Sequence, residues 1–218
     1  KENVKEIAYK GSNTKKKKNV TKKLNPASFK IDHQLVKQIK NVMIIAHPDD
    51  ETLWAGDHIM KDRYLIICLT NGNNKIRKKE FEKAMELTGN YGIILNYPDN
   101  PKHVKNNWKK VKDPIRNDID YVLNYKKWDS IVTHNPDGEY GHIQHKFTSM
   151  IVTNECVKLG LTGKLEYFGK FYKTNYLLNH TIPGALDLQD AQAKENLMSE
   201  VYLSQGYAHR IFDHMVPY

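Results

Sequence analysis

Short apolar runs alternate with amphipathic stretches over most of this chain, which predicts strands and helices in turn. The apolar runs predict strands over residues 42–46, 64–69, 93–95 and 130–133. The amphipathic stretches predict helices over about 52–61, 75–88, 113–124 and 142–159. An extended segment is predicted over 165–172, with a last helix over 185–203. This alternation is typical of an α/β fold, and we expect a Rossmann-like, mostly parallel sheet with helices on both faces.

The first predicted strand ends in a group of titratable residues, His47-Pro48-Asp49-Asp50-Glu51. Ligand sites in open α/β sheets lie at the carboxyl ends of strands, where clustered charges are costly unless a metal or a reaction uses them. His47 and Asp50 offer one nitrogen and one oxygen, a combination that suits zinc, and Asp49 could face a metal-bound water. The alternative is a turn in which Asp49 or Asp50 caps the next helix. Capping accounts for one aspartate but not for the whole group.

A second polar cluster follows the fourth predicted strand and contains His142 and His145. Residues three apart in the first turn of a helix share one face. A His-x-x-His pair is a weak signal by itself, but this pair follows an apolar strand, as the first cluster does. We therefore expect both clusters at the same edge of the sheet. His47, Asp50 and one of these histidines would form a three-ligand site with an open position, the arrangement of catalytic zinc.

These two segments together resemble a known family. They have the sequences Ala46-His47-Pro48-Asp49-Asp50-Glu51 and Tyr140-Gly141-His142-Ile143-Gln144-His145. They are similar to the zinc-dependent de-N-acetylases of the PIG-L/LmbE type, over about residues 41–155. Members of that family remove acetyl groups from N-acetylglucosamine-containing substrates, which are glycosylphosphatidylinositol precursors in eukaryotes and glucosaminyl conjugates of thiol pathways in bacteria. Residues 69–73 and 77–80 resemble the eukaryotic branch in particular. Many bacterial relatives carry an acidic residue where this chain has Asn73, so a bacterial thiol-pathway substrate does not follow from the resemblance.

The resemblance implies a role for each residue that matches the motifs. The implied ligands of Zn²⁺, or of iron(II) as the alternative ion, are His47, Asp50 and His145. Asp49 would be the general base for a metal-activated water. His142, with Tyr140, would stabilise the oxyanion formed when that water attacks the acetamide carbonyl. Either His142 or protonated Asp49 would protonate the leaving amine, and the sequence leaves this choice open.

Two further residues are predicted to contact the substrate. Arg77, at the start of a predicted helix, could bind a hydroxyl, phosphate or carboxylate through its planar guanidinium. Asp99, in a loop after the third predicted strand, could accept hydrogen bonds from sugar hydroxyls. An exposed helix charge and a plain turn are the structural alternatives.

The predicted function is metal-dependent removal of an acetyl group from an N-acetylglucosamine-containing glycolipid, glycan or small conjugate. One alternative is a metal-dependent phosphoester hydrolase, in which Asp49 or Glu51 binds a second ion. The other is a non-catalytic, basic-tailed module that binds carbohydrate or a membrane surface. The sequence predicts neither the oligomeric state nor the group to which the amino sugar is attached.

Positive charge is concentrated at the N-terminus. Residues 1–40 contain twelve lysines and three acidic residues, a net charge of +9 that equals the formal charge of the whole chain. We expect a Lys-rich, partly disordered arm over 1–40 and a single α/β domain over 41–218. The arm could contact an anionic membrane surface, whereas nucleic acid is disfavoured because few aromatic residues interrupt the lysines. A membrane-associated or extracytoplasmic location is slightly favoured over a cytoplasmic one, and a signal peptide or anchor could precede Lys1.

Overall fold

The computed structural model describes residues 27–99, 108–172, 176, 179–180 and 188–206. Its strands are β1 (Asn41–Ile45), β2 (Tyr64–Thr70), β3 (Tyr91–Tyr97), β4 (Ser130–Thr133) and β5 (Leu165–Tyr167). Its helices are α1 (His33–Val36), α2 (Asp50–Lys61), α3 (Lys75–Thr88), α4 (Lys112–Tyr125), α5 (Ile143–Leu159) and α6 (Leu188–Val201). Two short 3₁₀ turns, Thr162–Lys164 and Leu203–Gln205, complete the described elements.

The five strands form one parallel sheet in the order β3-β2-β1-β4-β5. The chain moves outward from β1 through β2 to β3 and then returns to place β4 on the other side of β1. The strand order therefore reverses between β1 and β4, and such a switch point leaves a crevice at the carboxyl ends of the two strands. This topology confirms the predicted α/β fold and places the two polar clusters side by side.

Helices cover both faces of the sheet because the residues of each buried strand alternate between two cores. In β1, Met43 and Ile45 pack in the core beneath α2, α3 and α6, whereas Val42 and Ile44 pack in the core beneath α4 and α5. All four side chains are fully buried. The site at the end of β1 is thus held by a strand that is fixed from both sides.

The predicted elements correspond closely to the described ones where the sequence carries end signals. Asn74 caps α3 by accepting hydrogen bonds from the backbone of Ile76 and Arg77, and Gly89 ends this helix in the left-handed conformation. The segment predicted as extended over 165–172 forms a strand only to Tyr167. Among the described helices, none combines the length and apolar character needed to cross a bilayer.

The structure separates the predicted Lys-rich arm into two parts. Residues 1–26 lie outside the described residues, so their predicted disorder stays a prediction. Residues 27–39 pack on the domain: Val36 and Ile39 are buried in the core beneath α4 and α5. Ser28 donates from both its backbone N–H and its hydroxyl to Asp118 of α4, at 2.6 and 2.5 Å. The described part of the domain therefore begins at residue 27, fourteen residues before the predicted start at residue 41.

Candidate active site

The turn after β1 is fixed by hydrogen bonds between its own backbone and its carboxylates. The backbone N–H of His47 donates to Asp50 Oδ2 at 2.7 Å, and that of Asp49 donates to Glu51 Oε2 at 3.2 Å. Asp49 occupies the N-cap position of α2 with φ 147° and ψ −22°, yet its side chain makes no capping hydrogen bond. A positive φ is rare outside glycine. The turn therefore directs the Asp49 carboxylate away from the helix end, contrary to the capping alternative.

Three potential metal-binding side chains converge beside this turn. His47 Nδ1 lies 3.1 Å from His145 Nε2 and 3.3 Å from Asp50 Oδ2, and His145 Nε2 lies 3.3 Å from Asp50 Oδ1. The predicted trio therefore comes together from β1, α2 and α5. Two overlapping sets of donor atoms also lie within 4.8 Å of one another: His47, His142 and His145, and Asp50, His134 and His145.

The outward-facing nitrogens of both histidines in the trio have hydrogen-bond partners. His47 Nε2 lies 2.9 Å from Gln144 Oε1, and the amide nitrogen of Gln144 donates to the Pro98 carbonyl, which identifies Oε1 as the acceptor. His145 Nδ1 lies 2.5 Å from Glu139 Oε2. With their protons on these outer nitrogens, His47 Nδ1 and His145 Nε2 present lone pairs to the common point. Metal-binding histidines are usually oriented in this way.

Burial and neighbouring charges together set the pKa values of the three side chains. Burial disfavours a charge on Asp50, but the His145 and His134 imidazoles outweigh it and hold the Asp50 pKa well below its usual range. Burial also opposes a charge on His47, yet Asp50 and Asp99 raise the His47 pKa to about 10. Burial lowers the pKa of His145 to about 4, although Asp50 acts in the opposite direction. In the metal-free protein at neutral pH, His47 therefore carries a second proton, on Nδ1, which an incoming ion would displace, while His145 keeps its lone pair.

The trio fits a divalent ion such as zinc. Ligands at ~2.1 Å from a tetrahedral zinc ion lie ~3.4 Å from one another. The two histidine nitrogens are 3.1 Å apart, and each lies 3.3 Å from one of the two Asp50 oxygens. Two imidazoles and one carboxylate are also a common ligand set for catalytic zinc. His134 is a poorer ligand because its Nε2 accepts the Ala46 backbone N–H at 3.0 Å.

Asp49, the predicted general base, is paired with Arg77. The Arg77 guanidinium lies 3.2 Å from Asp49 Oδ1 and also donates to the Pro48 carbonyl at 2.5 Å. Burial raises the pKa of Asp49 to about 7, although the Arg77 cation acts in the opposite direction. A buried carboxylate with a pKa near neutrality is suited to accept and return a proton.

His142 and Tyr140 lie beside the trio. His142 is the N-cap of α5, and its Nδ1 accepts the Gln144 backbone N–H at 3.3 Å, which leaves the proton on Nε2. Burial, with positive charge on His145 and His47, lowers the pKa of His142 to about 3. The ring of Tyr140 is 5.6 Å from that of His145 and is 43% exposed.

The predicted substrate residues lie at the site, but each contacts a predicted catalytic or metal-binding residue. Arg77 contacts Asp49, as described above. Asp99 Oδ1 lies 3.4 Å from His47 Nε2, and Asp99 Oδ2 accepts a hydrogen bond from Asn71 at 3.1 Å. Their substrate contacts stay predictions.

Sequence reasoning missed the residues that hold the trio in place. Glu139 bridges His134 Nδ1 at 3.0 Å and His145 Nδ1 at 2.5 Å, and it is 4% exposed. The Trp54 indole N–H donates to Asp50 Oδ1 at 3.2 Å. The available signal was position, because Glu139 lies between the strand end and the His-x-x-His pair. Its bonding to two histidine rings could not be derived from spacing.

Glu51 is a buried residue that stabilises the turn after β1 through hydrogen bonds. It is fully buried and accepts hydrogen bonds from the Thr52 hydroxyl at 2.8 Å, from the Tyr202 hydroxyl, and from the Asp49 backbone. Tyr202 follows α6, so the C-terminal part of the described domain contacts the base of the site.

A family model matches this chain over the region that forms the site. The family is described as PIG-L, GlcNAc-PI de-N-acetylase, and its model matches residues 42–156, more than half of the chain. An uncharacterized protein of Acanthamoeba polyphaga mimivirus is 34% identical over 128 residues, which are 51% of this chain and 55% of that protein. The chain thus spans about half the length of the curated relative it matches.

Solved structures share the fold at low sequence identity. GalB, the 4-carboxy-2-hydroxymuconate hydratase of Pseudomonas putida, has a TM-score of 0.52 and 14% identity, covering 79% of this chain and 82% of its own. The conserved protein TT1542 of Thermus thermophilus has a TM-score of 0.51 and 16% identity, covering 79% of this chain and 84% of its own. At these identities the likeness extends to the fold alone.

Proposed function

Because the chain belongs to the PIG-L family, whose membership indicates a metal-dependent deacetylase-type hydrolase, we propose that it removes the acetyl group from an N-acetylglucosamine-containing glycolipid. The observation that carries the proposal is the convergence of His47 Nδ1, Asp50 and His145 Nε2 beside the Asp49 carboxylate. Ligand lone pairs and a buried base within one crevice are what hydrolysis of an unactivated amide requires.

A zinc ion, or iron(II), held by His47, Asp50 and His145 would supply Lewis-acid activation of water and of the acetamide carbonyl. Asp49 takes the proton of the attacking water, since burial keeps its pKa near neutrality and Arg77 holds its carboxylate in one orientation. His142, neutral at pH 7, donates its Nε2 proton as a hydrogen bond to the developing negative charge on the acetamide oxygen. Tyr140 lies beside it and can donate a second.

The proton needed by the leaving amine comes from Asp49. His142 enters the reaction without an extra proton because its pKa is lowered to about 3. Protonated Asp49, with a pKa near 7, returns to the amine the proton that it took from water. The products are acetate and a free glucosamine-type amine.

The contacts of Glu51 and Asp49 favour this reaction over two-metal phosphoester hydrolysis. Glu51 already accepts three hydrogen bonds from protein groups, and Asp49 is paired with Arg77. Neither carboxylate is disposed to hold a second ion.

The test is acetate release from a panel of substrates, from free N-acetylglucosamine through chitooligomers to N-acetylglucosaminyl-phosphatidylinositol, with and without a chelator. Asp49→Asn is expected to lower the rate by ~10²–10⁴-fold, the usual contribution of a general base. The control is Asp62→Asn, the same change on an exposed residue that follows α2.

Three results would contradict the proposal. Hydrolysis that survives Asp49→Asn would refute the assigned base. A chain that binds one ion but releases no acetate from any substrate would favour the non-catalytic module. Release of phosphate from phosphoesters would favour the other alternative.

A further inference from the structure

Exposed lysines surround the start of the helices that follow β2, β3 and β4. They are Lys75, Lys78 and Lys79 in α3, Lys109, Lys110 and Lys112 at the start of α4, and Lys146 in α5. In a parallel sheet these helix starts lie at the edge that carries the candidate site. The first turns of α3 and α5 contain no acidic residue, whereas that of α4 contains Asp113, which pairs with Arg116 at 3.4 Å. Positive charge at a helix N-terminus opposes the helix dipole, so helix stability does not explain this placement.

Few groups of the domain contact these lysines, in contrast to several lysines at the opposite ends of the helices. Among the described side chains, only Glu82, 3.8 Å from Lys78, forms an ion pair with this set. At the other end of α5, Lys158 pairs with Asp120 at 2.6 Å. After α4, Lys126 donates to three backbone carbonyls at 2.7–3.2 Å. On the site side, ion pairs with the described side chains therefore neutralise little of this positive charge.

Exposed apolar side chains lie among the same lysines. Ile76 is 63% exposed in the first turn of α3, beside Arg77, which reaches Asp49. Ile143 is 39% exposed at the start of α5. Apolar residues interspersed with lysine are typical of surfaces that bind at a membrane interface.

The Lys-rich N-terminal segment joins the described structure near this edge. Ser28 bonds Asp118, which also accepts a hydrogen bond at 2.6 Å from the hydroxyl of Tyr97, the last residue of β3. Residues 1–26, which precede this anchor, contain nine lysines and two glutamates. These nine lysines therefore precede, in sequence, a residue that is anchored beside the carboxyl end of β3.

We propose that the site-side surface, comprising these lysines with Ile76 and Ile143, docks the protein on an anionic phospholipid membrane. The lysines contact headgroup phosphates, and the apolar side chains enter the boundary between headgroups and acyl chains. Exposed isoleucines favour lipid over nucleic acid, which is bound through phosphate contacts and aromatic stacking. The inference rests on the proposed function in one respect: a glycolipid substrate would then reach the site without leaving the bilayer.

Flotation of the full chain with phosphatidylcholine vesicles, with and without phosphatidylserine, tests this orientation. The triple variant Lys75→Gln, Lys79→Gln, Lys146→Gln is expected to bind anionic vesicles ~100-fold more weakly, at about fivefold per lysine. The matched control carries the same charge change at the opposite edge, on residues that are also exposed: Lys37→Gln, Lys40→Gln, Lys127→Gln. Screening beyond about 10 Å limits the expected loss in the control to less than ~5-fold.

A second pair of variants tests the apolar contribution within one helix. Ile76→Ser is expected to weaken vesicle binding ~10-fold, since one aliphatic side chain no longer enters the lipid. Leu87→Ser, in the last turn of the same helix and 55% exposed, is expected to leave binding unchanged.

Equal losses in the site-side and control variants would overturn the proposed orientation. The proposal that the partner is a membrane would be refuted if the chain were not enriched on anionic vesicles. It would also be refuted if the chain bound RNA that vesicles did not displace. Vesicle binding is measured without catalysis, so failure of acetate release with intact binding would refute the proposed function alone. The site-side variants are expected to hydrolyse a soluble N-acetylglucosamine substrate at the unaltered rate.

Discussion

The carboxylate of Glu139 lies between two buried imidazoles, and its replacement by an amide would disturb the site without removing a ligand. Glu139 Oε2 accepts from His134 and His145, and Oε1 accepts the Asn135 backbone N–H at 2.9 Å. A glutamine has only one acceptor oxygen. In Glu139→Gln, either orientation of the amide therefore places its NH₂ group against at least one N–H donor.

The expected magnitude follows from the charge of Glu139. Although burial opposes this charge, the His134 and His145 rings lower the Glu139 pKa from 4.5 to about 2. Each pKa unit corresponds to ~1.4 kcal/mol, so the shift corresponds to ~3 kcal/mol of stability. Because the folded-state pKa is the lower one, this stabilisation is complete above pH ~4.5 and is lost as the pH falls toward ~2. Glu139→Gln is thus expected to lower the free energy of unfolding by ~3 kcal/mol at neutral pH and by about half as much near pH ~3.

Two measurements check this expectation. Urea denaturation of the metal-free chain at both pH values gives the free energy of unfolding, and zinc titration against a competing chelator gives the metal affinity. Loss of a carboxylate that orients a metal-binding histidine typically weakens metal binding ~10–100-fold. The control is Asp137→Asn, the same type of change on an exposed residue of the same loop.

The reasoning would be refuted if Glu139→Gln matched the unaltered chain in both zinc affinity and stability at neutral pH. It would also be refuted if Asp137→Asn produced losses of the same size. A stability loss that did not shrink at acid pH would show that the charge of Glu139 is not its origin.

Three further predictions concern the base and its surroundings. His47 is protonated at neutral pH because its pKa is about 10, so zinc binding should release about one proton. Zinc affinity should therefore rise ~10-fold for each pH unit between neutrality and pH 10. Calorimetry in buffers of different ionisation enthalpy measures the number of protons released. Arg77→Met removes the cation that lowers the Asp49 pKa, so the acidic limb of the kcat/KM profile should move to higher pH; an unmoved limb would contradict the pairing. Tyr202→Phe deprives buried Glu51 of a hydrogen-bond donor and should lower the free energy of unfolding by ~1–3 kcal/mol in urea denaturation.

The sequence predicted the sheet and the converging motifs because those features depend on local patterns. β4 has the predicted bounds, and α3 begins and ends at residues with clear signals, Asn74 and Gly89. Convergence of the two histidine-containing segments followed from the rule that parallel strands direct their carboxyl ends to one edge. Both inferences require only periodicity and chain direction.

The remaining features depend on contacts between distant segments. Val36 and Ile39 lie in a stretch with many lysines, so composition hid the apolar positions that pack against α4. The bond from Gln144 to His47 and the bridge made by Glu139 depend on rotamers and on how α5 meets the turn after β1. No period in the sequence encodes such distances.

The backbone of Asp49 has a further consequence. Its φ of 147° is a conformation that glycine adopts readily and that costs other residues about 1–3 kcal/mol. Glycine would therefore relieve strain at the very position where the proposed chemistry needs a carboxylate. If Asp49 is the base, selection at this position has favoured catalysis over stability, and sequence designs scored on stability alone would replace the residue on which the reaction depends.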